Sequence, residues 1–275
     1  MPRRVINSLR GTWRGVRVVL HLVKLVCMVA LIWPYLRPAQ RDRVISRWSY
    51  DLLRILQVHI HLHGDIPPPH VTSVLFIANH ISWLDIIALD AFRRMRFVAK
   101  AEVRQWPVIG WLAAQTGTFF LQRSNQRQMA HLTPMIANAL CQGHCVALFP
   151  EGTTTDGTSL KSFYPGLFEA ARRSTGMVWP VAIRYAHADG SLHLAPAFLG
   201  EQSLVNSIVH VLTVRSMHLH LSFAPPLDAQ EFTRRDLAHH AHAAIVSLLV
   251  ASYKHDGLGP QTVPHSAHIV AHGHL

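Results

Sequence analysis

The chain has 275 residues, 49% of them hydrophobic and only 15% charged, with 26 Lys and Arg against 15 Asp and Glu for a formal net charge of +11. A mean hydropathy of +0.18 is high for a soluble enzyme and low for a polytopic membrane protein, and suits a globular body attached to a bilayer. Ten basic residues and a single acid, Asp42, fall within residues 1–47, so the excess flanks an apolar stretch instead of covering the body, which argues against nucleic acid and for an anionic lipid surface as partner.

Residues 16–36 form that apolar stretch, close to the roughly 20 residues that cross a bilayer. It holds Arg17, His21 and Lys24, the last two sharing a helical face. Cations so placed favour a helix lying in or dipping into one leaflet over one that spans it with its cations snorkelling. A cleaved signal peptide fits less well, because no small-residue cleavage site follows and Trp33-Pro34-Tyr35 closes the run. Residues 41–56 carry Val44, Ile45, Trp48, Leu52, Leu53 and Leu56, an amphipathic pattern with an interfacial tryptophan.

From residue 57 to 63, Val58, Ile60 and Leu62 alternate with Gln57, His59, His61 and His63, the period of a half-buried strand whose histidines form its polar face. Gly64 and Pro67-Pro68-Pro69 then break the chain. A short buried strand is expected at 74–78, a helix at 82–92 and a strand at 96–99. Trp106-Pro107-Val108-Ile109-Gly110-Trp111 leads through a short helical segment to a strand at 117–122. Further on come a helix at 126–142, a strand at 145–149, a helix at 166–175 and strands at 177–184, 192–197 and 217–223. A final helix is expected at 236–253, and the tail from His255, with five histidines among Gly, Pro and Ser, reads as disordered.

Short apolar strands alternating with helices point to an α/β fold, a single domain with a mixed, mostly parallel sheet flanked by helices on both faces. Its expected division is residues 1–56 as membrane-anchoring helices, 57–254 as the folded body and 255–275 as the tail. The three cysteines, Cys27, Cys141 and Cys145, are too few and odd in number for a disulfide framework and fit a reducing compartment. Cys141, His144 and Cys145 make only a weak zinc pattern, having no second ligand pair.

The most informative stretch is Asn79-His80-Ile81-Ser82-Trp83-Leu84-Asp85. On a straight helix five positions turn one side chain about 140° from the other, so His80 and Asp85 would not meet. They meet if the strand ends at His80 and a helix begins just after it, with Ser82 as N-cap and Asp85 at the capping-box position, pointing back over the helix start. An imidazole held there by a carboxylate is a general base. Three further blocks accompany it. Gly117-Thr118-Phe119-Phe120-Leu121-Gln122-Arg123 is a strand ending in an arginine. Phe149-Pro150-Glu151-Gly152-Thr153-Thr154-Thr155-Asp156-Gly157 is a strand opening into a polar loop. Val178-Trp179-Pro180-Val181-Ala182-Ile183 is a buried strand. Ligands of open α/β sheets sit beyond the carboxyl ends of the strands, and His80, Arg123 and Glu151 each follow such an end. A base, a cation and a loop of amides and hydroxyls on one rim suit acyl transfer to an alcohol on an anionic lipid.

In this order and at these separations, the four blocks resemble the lysophospholipid acyltransferase family, the group containing the bacterial 1-acylglycerol-3-phosphate acyltransferases, over residues 57–225. The resemblance implies His80 and Asp85 as the catalytic pair, Arg123 as a phosphate ligand and Lys100 as a second cation. It implies Glu151, Gly152 and Thr153 in the acceptor-site loop. It further implies direct transfer, with no metal, cofactor or covalent acyl-enzyme, from acyl-CoA or acyl carrier protein to the free hydroxyl of a lysolipid. The foremost acceptor on this reading is 1-acylglycerol-3-phosphate, giving phosphatidic acid. Attachment to the cytoplasmic face of the cell inner membrane by an N-terminal helical hairpin is implied as well. One position departs from the family pattern: its arginine after Glu-Gly-Thr is Thr154 here, as in members that acylate lyso-ornithine lipids, which makes that acceptor an alternative. A serine hydrolase would need a Gly-x-Ser-x-Gly elbow, and the chain has none. A non-catalytic membrane-surface adaptor would have no need of both His80 and Asp85.

Overall fold

A computed structural model describes residues 2–122, 126–174, 176–200 and 202–255. The chain opens with helix α1 (Pro2–Cys27), which continues through a π-helical turn (Met28–Ile32) and a 3-10 turn (Trp33–Tyr35) before helix α2 (Pro38–Leu56) doubles back. Strands β1 (Val58–Gly64) and β2 (Val74–Ala78) follow, then α3 (Trp83–Phe92), β3 (Arg96–Lys100), α4 (Ile109–Gln115) and β4 (Phe119–Leu121). The second half contributes α5 (Gln126–Cys141), β5 (Val146–Leu148), α6 (Glu169–Arg173), β6 (Met177–Ala186), α7 (Leu204–Thr213), β7 (Met217–Phe223), β8 (Leu227–Asp228) and α8 (Arg234–His255).

The strands form one sheet in the order β1-β7-β6-β2-β5-β3-β4, with β8 paired to β6. Every pairing along the order is parallel except β6 with β7, and β8 also runs antiparallel to β6. β2 lies between β6 and β5 and is buried on both faces, which is why its sequence is an unbroken apolar run. Its side chains alternate between two cores. Phe76 joins Leu53, Leu56, Leu84, Leu89 and Phe223 on the α2–α3 side. Leu75 and Ile77 join Ile136, Leu140, Phe168, Ala241 and Ile245 on the α5–α6–α8 side. Both faces are therefore covered, as the alternation of elements predicts.

Two expectations need correction. Residues 192–197 form no strand: Leu192 makes a single bridge to Ala186, after which Ala197 N turns back to Leu194 O at 3.0 Å and Pro196 offers no donor. The sequence reading also passed over α7, whose Ser203 caps it by accepting from Asn206 N at 3.2 Å. The segment expected as one helix at 166–175 begins as a 3-10 turn (Pro165–Phe168) before α6. The tail beyond residue 255 lies outside the described residues.

β1 carries its histidines outward, as its alternation implies. They interleave with β7: His61 Nε2 lies 2.9 Å from His218 Nδ1, and His63 Nε2 lies 2.9 Å from His220 Nδ1. The hairpin of α1 and α2 is tied at its middle by Trp48, whose indole N–H donates to His21 O at 3.0 Å while His21 Nε2 lies 2.9 Å from Trp48 O. α1 also rests on α7, where Arg14 donates to the carbonyls of Val214 and Arg215. Its opposite face leaves Trp13, Val16, Val19, Leu20 and Val23 exposed; Val205 and Val209 on α7 are exposed as well. The segment Arg10–Tyr35 is long and apolar enough to cross a membrane by length and composition.

His193, between β6 and α7, is buried and stacked on His187 with centroids 3.8 Å apart. Its Nδ1 accepts from Ala195 N at 3.3 Å, which requires the neutral ring. Burial, with smaller contributions from His187 and His210, pushes its pKa down to about 4. A base depressed in the folded state adds full stability above its unfolded value of 6.5 and loses it as pH falls toward the folded value. The stability advantage of the wild type over His193→Asn, read from urea unfolding, is therefore expected to shrink between pH 6.5 and about 4, by on the order of 3 kcal/mol. A pH-independent difference would contradict it.

Candidate active site

β2 ends at Ala78, but its pairing with β6 is continued for one more rung by a side chain. Asn79 Nδ2 donates to Ile183 O at 2.9 Å, and Asn79 Oδ1 accepts from Ile183 N at 2.7 Å. The next residue, His80, thus leaves a fixed edge. Two residues on, Ser82 caps α3, its Oγ accepting from Leu84 N at 3.3 Å, and Asp85 closes the capping box by accepting from Ser82 N at 2.9 Å.

Asp85 is fully buried, and its carboxylate serves more than the cap. Oδ2 also accepts from Ile81 N at 2.7 Å and His80 Nδ1 at 2.8 Å, while Oδ1 accepts from the Tyr185 hydroxyl at 2.7 Å. Four donors around one carboxylate offset the cost of burying it. Burial, and then the charge of Asp85, raise the Tyr185 pKa well above its ordinary value, so the phenol stays a neutral donor.

The His80 ring is 17% exposed and lies parallel to Phe149 with centroids 4.0 Å apart. With the Nδ1 proton committed to Asp85, the Nε2 lone pair is free, and Nε2 makes no hydrogen bond among the described residues. Glu151, just past the end of β5, is buried and holds the backbone that carries this ring. Its Oε1 accepts from His80 N at 2.8 Å and its Oε2 from Lys161 N at 2.9 Å. Burial raises its pKa and the two amides partly oppose that shift. His80 O in turn accepts from Thr155 N at 2.8 Å.

The loop that makes these contacts turns at Gly152 and Gly157, both in the left-handed region at φ +76° and +84°. A Cβ at Gly157 would lie 2.9 Å from Ile81 Cδ1, so that position cannot take a side chain without displacing the residue next to His80. Gly152 and the half-buried Thr153 lie in the same loop, beside the β2 end. Thr154, the departing position, turns its hydroxyl to Phe198 O.

Lys100 is exposed at the carboxyl end of β3, on the same rim as His80 but two strand spacings away, about 10 Å. Among the described residues no hydrogen bond or ion pair ties it to the other site residues. Arg123 lies outside the described residues. Sequence reasoning missed Tyr185; its one signal is a lone phenol near the end of an otherwise apolar strand. Among the described residues no three His, Cys, Asp or Glu side chains converge as metal ligands. Of the weak zinc pattern, Cys145 is buried, which raises its thiol pKa, and His144 Nε2 lies 2.8 Å from an Arg96 nitrogen.

Residues 59–184 match the family model described as Acyltransferase. The lyso-ornithine lipid O-acyltransferase of Pseudomonas aeruginosa is 32% identical over 242 residues, covering 83% of this chain and 92% of that protein. The 1-acyl-sn-glycerol-3-phosphate acyltransferase of Neisseria meningitidis serogroup B is 30% identical over 194 residues, covering 70% of this chain and 75% of that one. The fold matches the crystal structure of the 1-acyl-sn-glycerophosphate (LPA) acyltransferase PlsC from Thermotoga maritima with a TM-score of 0.68 at 19% identity, over 90% of this chain and 96% of that one.

Glu151→Gln places an NH2 group against one of two backbone donors. The expected loss is about 1–3 kcal/mol of unfolding free energy at neutral pH. Unchanged urea stability would show that the two amides do not depend on the carboxylate.

Proposed function

The chain belongs to the acyltransferase family, within its lysophosphatidate and lyso-ornithine lipid type, and on that premise we propose that it transfers a fatty acyl group from acyl-CoA or acyl carrier protein to a lysolipid hydroxyl with His80 and Asp85 as the catalytic pair. The observation that carries this reading is the 2.8 Å contact between His80 Nδ1 and Asp85 Oδ2, which turns Nε2 outward at the end of a central strand. Nε2 accepts the proton of the lysolipid hydroxyl as its oxygen attacks the thioester carbonyl. The imidazolium so formed faces a buried carboxylate and is stabilised by it. Collapse of the tetrahedral intermediate breaks the C–S bond, and the departing thiolate takes the proton back from Nε2. The ester and a free thiol leave, and no proton is gained or lost overall.

Gly152 and Thr153 are assigned to the acceptor-site loop beside His80, where the Gly152 amide holds the turn by donating to Phe149 O at 3.1 Å. Glu151 is assigned to the same loop but acts through the backbone of His80, so it is a positioning residue. Lys100, at the end of β3, and Arg123 are assigned as the cations that meet an anionic acceptor. Of the two acceptors, lyso-ornithine lipid is favoured by Thr154, which removes a guanidinium from the loop, and by the identity to the Pseudomonas aeruginosa protein. 1-Acylglycerol-3-phosphate is the second reading, favoured by the Neisseria meningitidis relative.

We infer attachment to the cytoplasmic face of the inner membrane, a reading supported by the apolar N-terminal helix. The exposed apolar face of α1 supports residues 1–56 lying in one leaflet, with 57–254 as the catalytic body.

His80→Ala is expected to abolish transfer to lyso-ornithine lipid and lysophosphatidate, assayed side by side, without releasing the protein from membranes. Full activity in that variant sinks the mechanism. Tyr185→Phe is expected to lower kcat about tenfold with little change in KM, because it removes one of four donors to Asp85 and no substrate contact. A change confined to KM would place Tyr185 at the substrate instead. Val16→Ser/Leu20→Ser/Val23→Ser, three exposed changes on α1, is expected to release the protein from vesicles in a sedimentation assay; continued tight association would locate the anchor elsewhere.

A further inference from the structure

α1 carries Arg10, Arg14, Arg17, His21 and Lys24 in steps of four and three, a basic stripe along one side of an otherwise apolar helix. Two members have internal partners: Arg14 is held by the carbonyls of Val214 and Arg215, and His21 by Trp48. Arg17 and Lys24 instead open onto a cavity of about 400 Å³ between α1 and α2, lined also by His21, Asp51, Arg54, Ile55 and Gln57. The only acid in this lining, Asp51, is already paired with Arg47 at 3.1 Å. Among the described residues Arg17, Lys24 and Arg54 have no ion-pair partner, so three cations face one cleft whose single carboxylate is engaged by a fourth, Arg47.

We propose that this cleft binds the phosphate headgroup of an anionic phospholipid, a lipid that docks and anchors the enzyme without being its acceptor. The proposal rests on the membrane attachment argued above. The chemistry required is a tetrahedral phosphate among guanidinium and ammonium donors, with an indole-stacked imidazole beside it. A lipid fits better than free phosphate because the cationic rim is interrupted by hydrocarbon. Leu20, 62% exposed, lies one helical turn from both Arg17 and Lys24, and Val16 and Val23 flank it. A headgroup in the cleft would thus lay its acyl chains along the exposed apolar face of α1.

The cleft is separate from the catalytic position, toward the same end of the sheet and beyond it. β1 runs opposite to β2, so Gln57 at the start of β1 and His80 past the end of β2 both lie toward the same end of the sheet; the register sets Gln57 against position 188, just past β6, and His80 against 183, three strand spacings across and five residues along, a separation of roughly 20 Å. A headgroup held beside Gln57 would set the depth at which His80 meets its lysolipid.

The test compares the full chain with R17Q/K24Q/R54Q and with a charge-matched triple, R10Q/R37Q/R43Q, by co-sedimentation with vesicles of phosphatidylcholine alone or mixed with phosphatidylglycerol. Each cation near an anionic surface contributes about fivefold in affinity. The cleft triple is expected to lose on the order of a hundredfold for the mixed vesicles, to bind phosphatidylcholine as the wild type does, and to keep turnover on detergent-dispersed lysolipid. Lys24→Gln alone, an exposed change, is expected to lose about fivefold. Equal losses in the two triples would mean a diffuse attraction and overturn the site, as would no loss in the cleft triple. Release of the wild type by inorganic phosphate at constant ionic strength would mean the cleft takes free phosphate and also overturns it. If the wild type binds neither vesicle, the membrane attachment itself fails; if it binds both equally, only the headgroup site does.

Discussion

One buried carboxylate decides the geometry of the whole site. Asp85 is at once the third residue of a helix cap, the partner of an imidazole and the acceptor of a phenol from a strand of the opposite chain half. These obligations converge because a carboxylate has two oxygens with several lone-pair directions, and each donor arrives from a differently anchored element. The cap fixes α3 relative to the end of β2, the imidazole fixes its own tautomer, and Tyr185 links both to β6. Had Asp85 been placed one turn later, it would have looked along the helix barrel and touched none of them.

The sheet supplies the frame for that convergence. β2 is central, and its neighbours β5 and β6 deliver Glu151 and Tyr185 from either side. Parallel strands end on one rim, so polar residues that follow them accumulate there. The single change of direction, between β6 and β7, sends β1 back with its start on this same rim. In this way the carboxyl end of α2, which leads into β1, comes to lie toward the start of α3.

Much of this was legible in the sequence because short-range rules carry it. An unbroken apolar run marked β2, alternation marked β1, and a serine followed three positions later by an aspartate marked the start of α3. The meeting of His80 and Asp85 followed from that cap alone. What could not be read were contacts between distant segments. No local pattern reveals that Ile183 continues the ladder with a side chain at 79, or that a tyrosine 100 residues away completes the carboxylate's coordination. α7 was readable and was overlooked, since its capping serine precedes an apolar run that also suits a strand. The strand expected at 192–197 fails for a tertiary reason: Asn79 already bonds Ile183 on that side of β6, and Pro196 lacks a donor.

The backbone of His80 is gripped from both directions, its N–H by Glu151 and its carbonyl by Thr155 N. The ring above is sandwiched by Phe149 on one flank. A group confined so completely has little left to reorganise when charge appears on it. The dipoles that will greet that charge are assembled once, during folding, and do not have to be re-erected at every turnover.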